Sequence, residues 1–427
     1  MKPGEQARQL GHRDTPQTIN SDASNLWGRF QSRHDCAIPA ERRRDWTLDA
    51  LAHRESEIQA RGRIRGLDGL RAISLLLVLM AHWSPIPYLN KVAEWGRGGL
   101  LIFFVISGFL ITRILIGLAR RRPRIEGVQL LKGFYGRRFF RIQPIYYLAL
   151  AFVICMGLNG AVREDAIYHV FFVQNLSNVV LRNDIGTYGP AAPWWSLAVE
   201  EQFYVFWAPI VIFFRPNAWK LSLFGAFAVA IGWRTFAWYA DLGQANVLVT
   251  LGNLDSLAAG AAVAIITSTV RITPAVSRSF SAMMVVGIAA LCLLSYTEMS
   301  QGIFAFRSSL VGKALADVPV YMIASSLIFF FAVGGAKTAA KVMENPVLVF
   351  IGKRSYGAYV YHQVVNYTFF FVITPLWLEP NFGIQRQLHG FTEFWAFTSI
   401  TLLLAALSYK YIEQPIFRVR DRIYPTT

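Results

Sequence analysis

Eleven positions separate Arg71 from His82 in RAISLLLVLMAH. On a helix rising about 1.5 Å and turning about 100° per residue, the two lie about 16 Å apart and share one face to within about 20°. Ser74 and Val78 lie between them on that face. An imidazole titrates near neutrality and suits proton transfer, and a guanidinium fork suits phosphate oxygens. A second group, Arg137, Arg138 and Arg141 in GRRFFRIQP, has the i,i+3 and i,i+4 spacing that gathers side chains on one helix face. In PWWSLAVEEQFYVFW, Glu200 and Glu201 stand among Trp194, Trp195, Phe203, Tyr204 and Trp207. A carboxylate in such surroundings needs a partner, and it can orient a base or bind a hydroxylated acceptor. The segment GKRSYGAYVYH adds Ser355, Tyr356, Tyr359 and His362.

Each group also has a plainer reading, and spacing alone does not choose. A membrane histidine can be a helix–helix hydrogen-bonder. Arginines at a helix mouth can be anchors or lipid contacts, as the run Arg120, Arg121, Arg122 and Arg124 is read here. Aromatic residues can form an interfacial belt. Ser107 and Gly108 in FFVISGFL read as close helix packing. Asp255 reads as the partner of Arg234 or Arg113, and Glu413 in YIEQP as a helix-end contact. There is no Gly-x-Ser-x-Gly elbow to support serine-hydrolase chemistry. Cys36, Cys155 and Cys292 have no metal-binding spacing, so neither a disulfide framework nor a zinc site is supported.

These residues need elements to hold them, and composition says which. The chain has 427 residues, 54% hydrophobic and only 16% charged, with mean hydropathy +0.37. Soluble domains carry about 25% charge, so this is the balance of an all-α, polytopic transmembrane helix bundle. Ten segments are long and apolar enough to span: 72–88, 98–118, 142–158, 197–214, 221–240, 248–267, 281–297, 318–335, 355–377 and 391–411. Segment 166–181 is shorter, holds His169, Gln174 and two asparagines, and is read as re-entrant or interfacial. With the N-terminus inside, the cytoplasmic loops carry 20 Lys and Arg against 7 in the opposite loops, which places both termini in the cytoplasm. The net charge of +16 is then a property of the loops, with no nucleic-acid partner implied. Residues 1–62 read as a polar cytoplasmic extension, 63–417 as one membrane domain and 418–427 as a short tail.

Six blocks occur in order: RGLDGLRAISLLLVLMAHW, GGLLIFFVISGFLI, RRFFRIQP, WWSLAVEEQFY, GKRSYGAYVYH and YIEQP. Together, over about residues 65–417, they resemble the acyltransferase-3 family of membrane O-acyltransferases. The resemblance implies transfer of an acyl group, usually acetyl, from cytoplasmic acyl-CoA to a hydroxyl of a sugar or surface polysaccharide, in the inner membrane of a bacterium. It places the family's arginine–histidine motif on Arg71 and His82, its Arg-x-x-Arg motif on Arg138 and Arg141, and its Trp-Ser-Leu-x-x-Glu block on Ser196, Leu197 and Glu200. The expected division of labour follows. Arg71, Arg138 and Arg141 bind the phosphates of acyl-CoA. His82 is general base or becomes acylated, and Glu200 orients it or the sugar. Trp195, Ser196, Tyr204, Tyr356 and His362 are candidate acceptor contacts. The expected partners are acetyl-CoA, a glycan acceptor and membrane lipid, with no metal. Some relatives carry an appended periplasmic hydrolase-like domain, and none is expected after the last span here. The alternative reading is a transporter or flippase of a glycan or lipid precursor.

Overall fold

The computed structural model describes residues 64–83, 95–177, 185–243, 248–300, 310–382 and 391–425. The chain divides into two units, Met1–Arg63 and Ile64–Thr427. All described residues belong to the second unit, and the expectations for residues 1–62, Cys36 included, fall outside them. The described residues form helices and no strand, as composition requires.

Ten long helices correspond to the ten apolar segments: α1 (Leu67–His82), α2 (Trp95–Ala119), α3 (Gly127–Cys155), α4 (Trp195–Phe213), α5 (Pro216–Tyr239), α6 (Leu254–Thr269), α7 (Pro274–Ser300), α8 (Val318–Ala332), α9 (Pro346–Thr368) and α10 (Phe391–Ser408). A short α11 (Gln414–Ile423) follows. By length and apolarity alone, seven helices among the described residues can cross a membrane, or eight if α8 and the helix Lys337–Met343, bent by 100°, make one span. The two left over are α1, only 16 residues long, and α9, which carries Lys353, Arg354, His362, Gln363 and Asn366. These two short or polar helices carry His82 and His362. Segment 166–181 is not one continuous helix: Ala166–Val170 and Gln174–Ser177 are separated by Phe172 at φ 54°. The molecule is a multi-pass membrane protein.

The helix α2 is apolar on every side and lies at the centre, packed on α1, α4, α6 and α8, whereas α7 packs chiefly on α8. Two-thirds (67%) of the apolar stretch of α2 is buried, against 6% for α7. Backbone contact replaces side-chain contact where α2 crosses α6. A Cβ on Gly108 would lie 1.9 Å from the Leu257 carbonyl oxygen, and one on Gly260 would lie 1.9 Å from that of Val105. Small residues permit such approach, which is the packing expected for Gly108.

Gly352 does the same for α1 and α9, since its Cβ would fall 1.8 Å from the Asp68 carbonyl oxygen. Alanine at this position must push apart the two helices that bring the histidines together. Gly352→Ala is expected to cost about 1–3 kcal/mol, the usual range for overpacking, and to lower the thermal midpoint in detergent. Gly225→Ala, where nothing lies within 4 Å of the added carbon, is the control expected to melt like the parent.

Candidate active site

The polar core is assembled from α1, α2, α3, α4 and α9. Arg71 occupies the second turn of α1, and Arg138 and Arg141 belong to α3. The apolar run begins at Ile142 and so suggests that these arginines sit at the mouth of a span. The helix in fact starts 15 residues earlier, at Gly127. Arg138 and Arg141 therefore lie about 16 and 21 Å along it, surrounded by protein. None of Arg71, Arg138 and Arg141 makes a hydrogen bond or ion pair with a described residue. The Arg138 guanidinium lies 5.5 Å from the centroid of the Tyr204 ring, in cation–π range.

Glu200 is fixed from two helices. Ser107 of α2 donates to its Oε1 at 2.8 Å, and Tyr204, one turn along α4, donates to its Oε2 at 2.8 Å. Arg71 and Arg138 act on it electrostatically without touching it. Glu201 is held more loosely: Gln143 Nε2 donates to Oε2 at 3.3 Å, and Oε1 is buried with no hydrogen-bond partner among the described residues. Glu413 lies where α10 continues as a π-helix (Tyr409–Glu413). It is 5% exposed, with Arg141 and Arg354 in electrostatic reach. This is more than the helix-end contact read from sequence, because it brings a third carboxylate to the cationic cluster.

The histidines form a separate group at the end of α1. His82 Nδ1 is 2.9 Å from the Val78 carbonyl, one turn back. With the proton on Nδ1, the Nε2 lone pair is left free. The residue is exposed, with protein lying around it. His362 meets it edge-on, with centroids 4.8 Å apart and planes at 70°. His362 is fully buried, its Nδ1 is 2.6 Å from the Tyr359 carbonyl, and its Nε2 has no described partner. Trp83, 5.9 Å away, closes one side.

The other sequence candidates support these groups. The Ser196 and Tyr359 hydroxyls lie 2.6 Å apart, and both are within hydrogen-bond distance of the Pro193 carbonyl. Tyr356 donates to the Ile142 carbonyl at 2.6 Å and ties α9 to α3. Trp195 packs edge-on to Phe104 at 6.4 Å. No described contact joins Glu200 to His82; the side chain beside His82 is His362. Residues not singled out from sequence are Gln143 and Arg354, and Ser107 gains a role beyond packing. Their only sequence signal was a polar group within or next to an apolar run.

A second charged cluster lies elsewhere. Asp255 pairs with Arg234 at 2.6 Å, one of the two partners expected for it. Arg97 pairs with Asp317 at 2.5 Å and donates to Asn253 at 2.8 Å. Every charge here has a partner, unlike the arginines near Glu200.

A family model described as an acyltransferase domain matches residues 64–410. Among curated proteins, the chain is similar to the peptidoglycan O-acetyltransferase OatA of Listeria monocytogenes, 28% identical over 380 residues that cover 84% of this chain and 56% of that protein. It is also similar to the O-acetyltransferase OatA of Staphylococcus aureus, 28% identical over 379 residues that cover 82% and 57%. The chain thus spans little more than half the length of these relatives. No solved structure matches it.

Proposed function

The chain belongs to the acyltransferase-3 family, and from that premise we propose that it moves an acetyl group from cytoplasmic acetyl-CoA to a hydroxyl of a cell-envelope glycan. One observation carries the reading. Three guanidinium groups lie within one another's electrostatic reach inside the helix bundle with no described hydrogen-bond or ion-pair partner, and the helix that supplies one of them ends in the exposed His82. Unpaired charge in such a place is costly and marks a ligand path. An anion with several phosphate oxygens satisfies the forks by charge-assisted hydrogen bonds. The donor's arm then spans the about 16 Å along α1 from Arg71 to His82. The basic bias of the loops supports an inner-membrane protein with both termini, and the arginine end of α1, in the cytoplasm.

In this mechanism the acceptor oxygen attacks the thioester carbonyl while His82 Nε2 takes its proton. The C–S bond breaks, and the proton passes to the departing thiolate to give CoA-SH. The Val78 carbonyl holds the ring in the competent tautomer. Glu200, fixed by Ser107 and Tyr204, partly offsets the cationic cluster and orients the donor side of the site.

Membranes containing the protein, incubated with acetyl-CoA radiolabelled in the acetyl group, are expected to transfer label to a glycan fraction. Label that stays in the donor would overturn the reading, as would glycan translocation that needs no acetyl-CoA. Arg138→Ala is expected to raise KM for acetyl-CoA about 10–100-fold, the loss of a charged hydrogen bond worth about 1.5–3 kcal/mol, with a smaller effect on kcat. An unchanged KM counts against the clamp.

A further inference from the structure

Between α9, α3 and α10 lies a groove of about 570 Å³ that neither His82 nor His362 lines, within the range of about 300–1,000 Å³ usual for ligand sites. Its walls are Leu148 and Phe152 of α3, Val364 of α9, Ile373 on the π-helical continuation of α9, and Leu404 and Leu407 of α10. Its inner polar groups are already satisfied. The Tyr361 and Ser408 hydroxyls bond each other at 2.8 Å, and Thr368 donates to the Val364 carbonyl at 2.7 Å. These leave little for water to bond, so the groove suits hydrocarbon.

We propose that this groove is a binding site for one acyl chain of an anionic membrane phospholipid. Its length argues for that occupant. From Ile400 on α10 to Tyr411 on the π-helical segment that continues it, the lining runs about 16 Å at a helical rise, the depth of one leaflet of a hydrocarbon core about 30 Å thick. Its polarity argues for the headgroup. At one end Tyr411 is exposed, and the Lys410 ammonium lies 5.1 Å from the centroid of its ring. No described carboxylate pairs with Lys410. The chain continues directly into α11, where Arg418 and Arg422 are exposed. A lysine at the end of an apolar slot matches a phosphate attached to a hydrocarbon tail.

The site is also wired to the cationic cluster. Both bordering helices wind as π-helices where they meet the groove, at Phe369–Leu378 and Tyr409–Glu413, and π-segments are frequent at functional sites. The second places Tyr411 on the groove while Glu413 is buried towards Arg141 and Arg354. A chain seated in the groove therefore braces the turn that carries Glu413. This consequence rests on the acyltransferase reading, whereas lipid binding does not.

The test uses the full-length protein in phosphatidylcholine nanodiscs doped with phosphatidylglycerol or phosphatidylcholine bearing a photoreactive tail. Cross-links are expected to map to the groove faces of α3, α9 and α10, several-fold more with phosphatidylglycerol. Leu404→Trp and, independently, Leu407→Trp fill the slot from positions that are already exposed, and each is expected to remove most of that labelling. Lys410→Glu is expected to abolish the headgroup preference while the tail labelling remains. Labelling spread evenly around the bundle, or equal for both headgroups, overturns the proposal. Acetyl transfer is expected to rise with phosphatidylglycerol in the parent and not in Leu404→Trp; equal rates overturn the coupling to Glu413. Absence of transfer in every lipid, with groove labelling intact, refutes the enzymatic reading and leaves the lipid site standing.

Discussion

His82→Ala is expected to lower acetyl transfer by about 10²–10⁴-fold, the contribution of a positioned general base, while leaving the fold and the affinity for acetyl-CoA near those of the parent. The structure separates these effects. His82 is an exposed residue and its one described hydrogen bond is to the Val78 carbonyl within its own helix, so its removal breaks no hydrogen bond to another helix. The arginines expected to hold the donor lie elsewhere: Arg71 is about 16 Å back along α1. Rate at saturating acetyl-CoA, KM and thermal midpoint should therefore report loss, no change and little change. A parent-like rate removes His82 from the mechanism. His362→Ala provides the contrast. That ring is fully buried against His82, Trp83 and Tyr359, so both rate and thermal midpoint should fall.

The helices were largely legible in the residues because hydrophobic length is a local property. All ten apolar segments became helices, and the shorter segment 166–181, read as re-entrant or interfacial, holds the short helices Ala166–Val170 and Gln174–Ser177. Helix starts were less legible. Counting apolar residues cannot see that Gly127–Arg141 is helical, so it does not reveal that Arg138 and Arg141 lie about three to four turns inside α3. Candidate residues could be named from type and spacing, yet their partners come from other helices. Ser107 and Glu200 are 93 positions apart, and Ser196 and Tyr359 are 163 apart. His362 could be noted in GKRSYGAYVYH, but its contact with His82 depends on Gly352 allowing α9 to touch α1. The π-segments were invisible for a different reason: the shift from i+4 to i+5 bonding leaves no mark on a run of apolar residues.

The two charged clusters differ in one respect that decides what each can do. Near Glu200, cations outnumber their hydrogen-bonded partners, and Glu201 and Glu413 each keep an unpartnered oxygen. A site with spare capacity of both signs can exchange partners with a charged, hydroxylated ligand. In the cluster of Arg97, Arg234, Asp255 and Asp317, opposite charges are already matched at hydrogen-bond distance, and the expected consequence is stability.

Asp255→Ala should show this, with an expected loss of about 3–5 kcal/mol, the cost of breaking a buried ion pair from one side. Arg234 is 1% exposed and Asp255 is fully buried. Without Asp255, the guanidinium keeps the Gly252 carbonyl at 2.9 Å and Asp317 at 3.9 Å, and Asp317 is already engaged by Arg97. Neither replaces a 2.6 Å carboxylate, and a charge inside the bundle cannot reach water without disturbing its neighbours. Removing both charges is milder, because two apolar side chains leave no orphan. Arg234→Met combined with Asp255→Leu should therefore be more stable than Asp255→Ala alone, and a double-mutant cycle in denaturant should return a coupling well above the about 0.5 kcal/mol of independent sites. Additive losses would show the pair to be uncoupled, and full stability in Asp255→Ala with acetyl transfer abolished would show the cluster to be part of the chemistry and not a brace between α5, α6 and the segment leading into α8.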